Sequence, residues 1–372
     1  MTFRVPFIRP VFPGPEVISS DFSAIVESNW FTNFGPRERE FASQVGAYVA
    51  PGMHAALFSN ATVALMASLE AAYGPGDSTR YILVPSFTFA AGPEAIEWAG
   101  YRPLLIDIEE ETLQPSTESA RRALEQYGDD VAGILLCNTF GIGNPRIREW
   151  EELARTAELP LVIDSAAGFG SLYSEERRVG TAGLCEVFSF HATKPFAIGE
   201  GGAVVSSDAD FIERLRSFSN FGFTGRDGAR RRGLNGKLQE FNAAIGLRQL
   251  ETFDSALDSR RATLETFRRE LPADLVRFPL GIELSSVCFS SVVVRSGAER
   301  DALLAALIDA GIEARAYYSP AVHRQPYFAQ ARRVDDLAAT EAIGATVLSI
   351  PVHQNMADED VRLVLDVTAA AA

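Results

Sequence analysis

One lysine of the chain stands in an unusual setting, the segment Phe188-Ser-Phe-His-Ala-Thr-Lys-Pro-Phe-Ala-Ile-Gly-Glu-Gly-Gly. Lys194 follows an apolar run typical of a strand, and a glycine-rich turn leads from it into a second apolar run. A lysine in a loop is usually a solvated surface charge, but the neighbours of Lys194 on both sides are apolar or small. A partly desolvated amine has a lowered pKa and can attack an aldehyde. Lys194 is therefore a candidate for Schiff-base formation.

An aspartate ends another apolar run, Leu159-Pro-Leu-Val-Ile-Asp-Ser-Ala-Ala-Gly. Asp164 stands at the carboxyl end of a predicted buried strand, where exposure to solvent does not explain the presence of a charged side chain. It could cap the turn or helix that follows. It could instead keep a pyridine nitrogen protonated through a charge-assisted hydrogen bond. A pyridinium is the electron sink that pyridoxal phosphate (PLP) chemistry needs.

Two other segments suit the phosphate and the ring of such a cofactor. Ser59-Asn-Ala-Thr opens a predicted helix, where free N–H groups and the helix dipole can bind a phosphate. Plain capping by Ser59 or Asn60 is the alternative there. Phe87 and Phe89 follow a strand and could stack on a flat ring, although an aromatic residue at a strand end is more often part of the core.

The elements that must position these residues alternate between short apolar runs and amphipathic stretches. The predicted buried strands are Tyr81–Val84, Pro103–Ile106, Gly133–Cys137, Leu161–Ile163 and Val187–Phe190. The helical patterns between them are Thr62–Tyr73, Ser119–Tyr127 and Arg146–Ala157. This alternation predicts an α/β domain with a mainly parallel sheet, which binds ligands at the carboxyl ends of its strands.

The pattern changes near residue 251. A long charged helix over Phe253–Arg268 is followed by a more isolated strand, Val287–Val294, and a helix, Glu299–Ala310. We therefore predict a large domain over residues 1–250 and a smaller α+β domain over residues 251–372.

Composition excludes several classes of function. The 372 residues carry a formal net charge of −15, which disfavours binding to nucleic acid or to an anionic membrane surface. Cys137, Cys185 and Cys288 are far apart and odd in number, which favours free thiols in a reducing cytoplasm. Neither a signal peptide nor a membrane span is indicated. We expect a soluble cytoplasmic protein.

The order and joint spacing of these motifs resemble the DegT/StrS-type, PLP-dependent sugar aminotransferases of fold type I. The resemblance extends over nearly the whole chain. Besides the segments quoted above, it includes Asn29-Trp-Phe-Thr-Asn-Phe-Gly-Pro, Gly100-Tyr-Arg-Pro-Leu-Leu-Ile-Asp-Ile and Gly233-Leu-Asn-Gly-Lys-Leu-Gln-Glu-Phe-Asn. It implies the PLP-transferase fold, with a large domain built on a mainly parallel sheet and a smaller C-terminal α+β domain.

The resemblance also implies roles for individual residues. Lys194 would form the Schiff base with PLP and later shuttle the proton, Asp164 would pair with the pyridine nitrogen, and Phe89 would stack on the ring. No metal is implied.

Binding of the cofactor phosphate is implied to involve two subunits. Ala61, Thr62 and Ser189 would hold the phosphate within one subunit, whereas Asn235 and Lys237 match positions that reach the phosphate of the neighbouring subunit. The resemblance thus implies a homodimer with shared active sites.

Some positions depart from the family pattern. Ala167 stands where Gln or His usually lies near the ring hydroxyl of PLP, Ser219 replaces a common arginine, Phe221 a histidine, and Ala61 a glycine. These changes bear on the choice of substrate more than on the binding of the cofactor. A cationic cluster could grip a diphosphate, or could be a solvated loop or a subunit contact: Arg226, Arg230, Arg231, Arg232 and Lys237.

The leading hypothesis is a PLP-dependent aminotransferase that moves an amino group from glutamate or glutamine to a keto sugar, most simply a nucleotide-linked one. The first alternative keeps the cofactor and changes the acceptor to a cyclitol or another small ketone. The second is a PLP-binding regulatory protein without turnover.

Overall fold

The computed structural model describes residues 3–225 and 228–372. Its strands are β1 (His54–Phe58), β2 (Tyr81–Pro85), β3 (Arg102–Ile106), β4 (Val131–Cys137), β5 (Leu161–Asp164), β6 (Leu172–Ser174), β7 (Arg177–Arg178), β8 (Cys185–Ser189), β9 (Gly202–Ser206), β10 (Val276–Arg277), β11 (Ser290–Val294), β12 (Arg332–Arg333) and β13 (Val347–Ile350). Its α-helices are α1 (Pro15–Ser28), α2 (Pro36–Val49), α3 (Ala61–Tyr73), α4 (Ala91–Trp98), α5 (Thr117–Tyr127), α6 (Ile147–Thr156), α7 (Ala209–Ser219), α8 (Glu240–Leu250), α9 (Phe253–Glu270), α10 (Gly297–Asp309), α11 (Ala338–Thr346) and α12 (Asp358–Ala370).

A central sheet has the strand order β1-β9-β8-β5-β4-β2-β3-β12 within the described residues. The pairings from β8 through β5, β4, β2 and β3 to β12 are parallel, whereas β9 runs antiparallel to both β1 and β8. The register sets Asp164 beside Cys137 of β4 and Val187 of β8. The carboxyl ends of these strands therefore meet at one edge of the sheet. The α/β fold with a mainly parallel sheet, predicted from the sequence, is confirmed.

Helices cover both faces of this sheet, which explains why its central strands are mostly apolar. Neighbouring residues of β5 point to opposite sides, with Ile163 in the cluster that contains Trp150 of α6 and Val162 in the cluster that contains Leu65 of α3. The side-chain clusters on both faces are buried, so the sheet is a rigid support for the residues at its edge.

The C-terminal region has its own core around the antiparallel sheet β10-β11-β13. The N-terminal segment joins this core, because Val5 is buried in it and pairs with Ile312. In the other direction, β12 adds to the large sheet beside β3. The division into domains of residues 1–250 and 251–372 stays a prediction. The N-terminal segment, which it assigns to the large domain, contacts the C-terminal core.

None of the helices in the described part of the chain combines the length and apolar character needed to cross a membrane. The three cysteines are buried and free.

Candidate active site

A cavity of about 640 Å³ lies at the carboxyl ends of the parallel strands, between the large sheet and the C-terminal region. It is the place that the strand pattern predicts for a ligand site. Of the eight residues that the resemblance assigns to the cofactor, six line it: Ala61, Thr62, Phe89, Asp164, Ser189 and Lys194.

Lys194 lies in the turn between β8 and β9, where its side chain is half-buried. The turn is held by backbone hydrogen bonds, among them Lys194 N–H to the His191 carbonyl at 2.9 Å and Ile198 N–H to the Phe190 carbonyl at 2.9 Å. Phe196 and Ile198 are buried in the main core and anchor the residues that follow the lysine. The apolar flanks noted in the sequence thus fix the backbone that carries the amine.

Asp164 is the last residue of β5, and only 7% of its surface is exposed. Its Oδ1 accepts a hydrogen bond from Ala166 N–H at 3.0 Å, and no described residue donates to Oδ2. Burial raises the pKa of Asp164 above the usual carboxyl value, while the Ala166 N–H and the charge of Lys194 act in the opposite direction. A cationic N–H donor in the cavity would offset this burial penalty.

The amino end of α3 forms the next part of the wall. Asn60 caps the helix, because its Oδ1 accepts a hydrogen bond from Val63 N–H at 2.9 Å. The N–H groups of Ala61 and Thr62 belong to the first turn, where intrahelical partners are lacking. The hydroxyls of Thr62 and Ser189 stand at the same cavity. This set of neutral donors at a helix start suits a phosphate.

The two phenylalanines after β2 have different environments. Phe87 is fully buried and belongs to the C-terminal core. Phe89 is 61% exposed, lines the cavity, and has its ring centroid 6.4 Å from that of Tyr318. Of the two candidates, Phe89 is therefore the one that can contact a ligand.

Asn235 and Lys237 do not line this cavity. Lys237 Nζ donates to Asn235 Oδ1 at 2.8 Å and to Asn220 Oδ1 at 3.1 Å, and it lies 4.9 Å from the ring centroid of Phe221. Burial lowers the pKa of Lys237. Contact of these residues with a neighbouring subunit stays a prediction.

The other departures from the family pattern lie in different places. Ala167 lines the cavity, and its carbonyl accepts a hydrogen bond from Ser286 Oγ at 2.7 Å. Ser219 is fully buried away from the cavity, with Oγ donating to the Arg216 carbonyl. Arg226 of the predicted cationic cluster lies outside the described residues.

Sequence reasoning missed two residues of the wall, Phe7 in the N-terminal segment and Arg315 in the C-terminal region. Both line the cavity, as does the Tyr317–Tyr318 pair, which belongs to a segment that in the family borders the sugar site. Arg315 donates to Glu313 Oε1 and to the Tyr317 hydroxyl, each at 2.6 Å, and its guanidinium lies 4.7 Å from the centre of the Phe7 ring. An arginine two residues before a tyrosine pair was the available signal, and it is a weak one.

The chemistry of these groups fits PLP. An amine, a carboxyl with one free oxygen, an exposed aromatic ring and a cluster of phosphate donors surround one cavity of suitable size. The assigned roles of the individual residues stay predictions.

Comparison with known proteins gives consistent results. The model of the DegT/DnrJ/EryC1/StrS aminotransferase family matches residues 15–368. The chain is 49% identical to Protein Rv3402c of Mycobacterium tuberculosis over 365 residues, which are 97% of this chain and 89% of that protein. It is 27% identical to the dTDP-4-amino-4,6-dideoxy-D-glucose transaminase of Shigella dysenteriae, with 94% of each chain covered.

Solved structures show the same fold. A putative PLP-dependent aminotransferase from Bacillus cereus superposes with a TM-score of 0.91 at 28% identity, covering 98% of this chain and 99% of that one. DesI, solved in the presence of its TDP-sugar product, superposes with a TM-score of 0.88 at 31% identity, covering 100% and 93%. Since the family model spans nearly the whole chain and the relatives are similarly complete, this protein belongs to the DegT/DnrJ/EryC1/StrS family of PLP-dependent sugar aminotransferases.

Proposed function

We propose that the protein transfers an amino group from glutamate or glutamine to the ketone of a nucleotide-linked keto sugar, in the biosynthesis of an amino sugar. The observation that carries the proposal is the presence of Lys194 and Asp164 on the wall of one cavity, with the phosphate donors of α3 beside them. The nucleotide-linked acceptor is supported by the substrate named for the Shigella transaminase and by the product bound to DesI.

PLP, when bound, supplies an electron sink that stabilises negative charge at the carbon bearing the amino group. Lys194 Nζ would hold PLP through its aldehyde carbon and, when free, would act as the general base and acid that moves a proton at the substrate carbon. Backbone hydrogen bonds hold the turn that carries this amine.

The other lining residues bind and orient the cofactor. The Asp164 carboxylate would accept a hydrogen bond from the pyridine N–H and keep its proton in place. The N–H groups of Ala61 and Thr62, with the Thr62 and Ser189 hydroxyls, would bind the phosphate, and Phe89 would cover one face of the ring.

The proposal includes a homodimer in which Asn235 and Lys237 reach the phosphate in the neighbouring subunit. Support comes from Lys237, whose ammonium donates to two amide oxygens and which does not line the cavity of its own subunit. An aromatic patch offers a surface for association, because Phe22 is half exposed and stacks on Phe241 at 5.1 Å, with Phe31 6.2 Å from the same ring. A cytoplasmic location is supported by the three free, buried thiols.

Half-reactions test the proposed function. The PLP-loaded protein should lose its visible absorption on addition of glutamate or glutamine and regain it on addition of a nucleotide-linked 3-keto or 4-keto sugar. Lys194→Ala should abolish both changes. A panel that also contains cyclitol ketones distinguishes the alternative acceptor, since recovery with these ketones alone would contradict the nucleotide-sugar proposal. Absence of bleaching with any amino donor would contradict transaminase activity itself.

A further inference from the structure

One phenol on the cavity wall has no hydrogen-bond partner among the described residues. Tyr318 lines the cavity, and its ring is fixed by aromatic neighbours, with its centroid 5.1 Å from Phe140 in a stacked arrangement and 5.7 Å from Phe87 at a steep angle. A ring packed in this way cannot easily turn its hydroxyl elsewhere. An unpaired hydroxyl beside a ligand cavity is available to the ligand.

The surroundings of Tyr318 keep its hydroxyl in the donor form. Burial, first, and then the nearby acidic groups of Cys137, Asp164 and Cys288 raise the pKa of Tyr318 well above its usual value. Its proton therefore remains on the oxygen at any pH at which the protein functions. Cys288 lies next to the lysine turn, since its Sγ donates to the Thr193 carbonyl at 3.4 Å. Tyr318 thus lines the cavity in the neighbourhood of Cys137, Asp164 and Cys288.

The residue roles given above leave the ring hydroxyl of PLP without a protein partner. The pyridine nitrogen and the aldehyde carbon are at opposite ends, and the phosphate arm and the ring hydroxyl flank the aldehyde carbon on opposite sides. With the phosphate at α3, the ring hydroxyl faces the edge away from that helix. Ala167 lines the cavity but has no polar side-chain atom to offer.

Other polar side chains on the wall already have partners. Asn138 Nδ2 donates to Ser165 Oγ at 2.8 Å and to the Tyr173 hydroxyl at 2.9 Å. Thr88 Oγ1 donates to Cys137 Sγ at 3.3 Å. The Tyr317 oxygen accepts a hydrogen bond from Arg315, which holds this hydroxyl at the guanidinium. Among these side chains, Tyr318 is the one whose polar atom has no hydrogen-bond partner in the described residues.

We infer that Tyr318 donates a hydrogen bond to the ring hydroxyl oxygen of PLP and thereby sets the proton affinity of the nitrogen that joins Lys194 to the cofactor. The inference rests on the proposed function. A donor stabilises negative charge on the ring oxygen. That oxygen then holds the proton of the adjacent nitrogen less tightly, so the nitrogen loses its proton at a lower pH.

A spectroscopic titration tests this role apart from turnover. The visible absorption of bound PLP changes when the nitrogen joined to Lys194 gains or loses its proton, and the midpoint is read directly from the spectrum. Tyr318→Phe removes the hydroxyl and keeps the ring, so the midpoint should rise by about one pH unit, a tenfold change in proton affinity. Tyr317→Phe, the matched control, should leave the midpoint in place, because that hydroxyl is already bound to Arg315.

A rescue variant separates donation from packing. Adding Ala167→Gln to Tyr318→Phe supplies an amide donor from the same wall and should return the midpoint toward the wild-type value. Site-specific 3,5-difluorotyrosine at position 318 keeps the packing, is a stronger donor, and should lower the midpoint. An unshifted midpoint in both Tyr318→Phe and the fluorinated protein would overturn the inference while leaving the aminotransferase proposal intact. A wild-type protein that shows no PLP absorption would overturn both.

Discussion

Gly202 lies directly opposite Ser189 across the antiparallel pair of β8 and β9, and its missing side chain lets the start of α3 pack against the same point. A Cβ at position 202 would stand 2.6 Å from the Asn60 carbonyl carbon and 2.7 Å from the Ala61 nitrogen. The glycine therefore brings the Ser189 hydroxyl and the α3 N–H groups to one cavity.

The variant Gly202→Ala should weaken PLP binding by about tenfold, because the helix start must move away from Ser189. It should also lower the free energy of unfolding by about 1–3 kcal/mol, the usual cost of overpacking. Fluorescence titration with PLP and urea unfolding measure the two effects. Gly344→Ala serves as the control, since its added Cβ would lie 3.9 Å from its nearest neighbour, the Tyr318 carbonyl oxygen. Wild-type PLP affinity in Gly202→Ala would contradict the proposal that Ser189 and the start of α3 bind the phosphate together.

The Asp164 carboxylate can be tested by removing its charge alone. Asp164→Asn keeps the shape of the side chain but replaces a charge-assisted hydrogen bond to the pyridine nitrogen with a neutral one. We expect kcat to fall by about 100-fold, in line with the loss of a strong charged hydrogen bond, while PLP still binds. Single-turnover absorbance changes with glutamate give the rate. Asp208→Asn, at the cap of α7, should keep the wild-type rate because asparagine is an equally good cap. A wild-type rate in Asp164→Asn would exclude the proposed pairing.

A buried glutamate outside the cavity predicts how stability depends on pH. Glu38 of α2 is 1% exposed, and neither carboxyl oxygen has a hydrogen-bond partner among the described residues. Burial raises the pKa of Glu38 to about 7, with Glu240 adding to the shift and Arg216 and Arg39 opposing it. Because the folded-state pKa lies above that of the unfolded chain, the folded protein binds the extra proton and loses this stabilisation as pH rises through 7.

Between pH 5 and pH 8, the wild-type protein should therefore lose about 2 kcal/mol more stability than Glu38→Gln. Burying the glutamine amide of Glu38→Gln has a cost that does not depend on pH. This cost cancels when the change in unfolding free energy with pH is compared between the two proteins. Glu40→Gln, two residues further along the same helix and half exposed, should retain the wild-type profile. Urea unfolding at a series of pH values provides the measurement, and parallel profiles for wild type and Glu38→Gln would refute the assignment.

The parts of the fold that were predictable from sequence are those with strong local signals. The buried strands were read from short apolar runs, and the strand-end rule placed Asp164 and Lys194 at the same edge of the sheet. The contribution of Phe7 and Arg315 was not readable, because it depends on how the N-terminal segment and residues 314–318 pack on the C-terminal core. Neither has a spacing to the lysine that would mark it. The choice of Phe89 over Phe87 likewise depends on tertiary burial, which the shared local pattern does not encode.

Mixing two inactive variants tests whether Asn235 and Lys237 serve the active site of the neighbouring subunit. Lys194→Ala removes the amine from its own subunit, and Lys237→Ala removes the proposed phosphate contact. In a mixed dimer with shared sites, one cavity carries both substitutions. The other cavity carries neither substitution and is fully wild type. Random reassociation makes half of the dimers mixed, and about one quarter of all cavities should be wild type.

Activity in the co-refolded mixture should thus recover to about one quarter of the wild-type level, although each variant alone has little. If Lys237 acted within its own subunit, every cavity in a mixed dimer would keep one substitution and no recovery would follow. Light scattering of the same samples checks that the variants form dimers, so a failure to associate is distinguished from a site contained in one chain. Pairing Lys194→Ala with Asp164→Asn is the control, because these residues line the same cavity of one chain and the mixture should stay inactive.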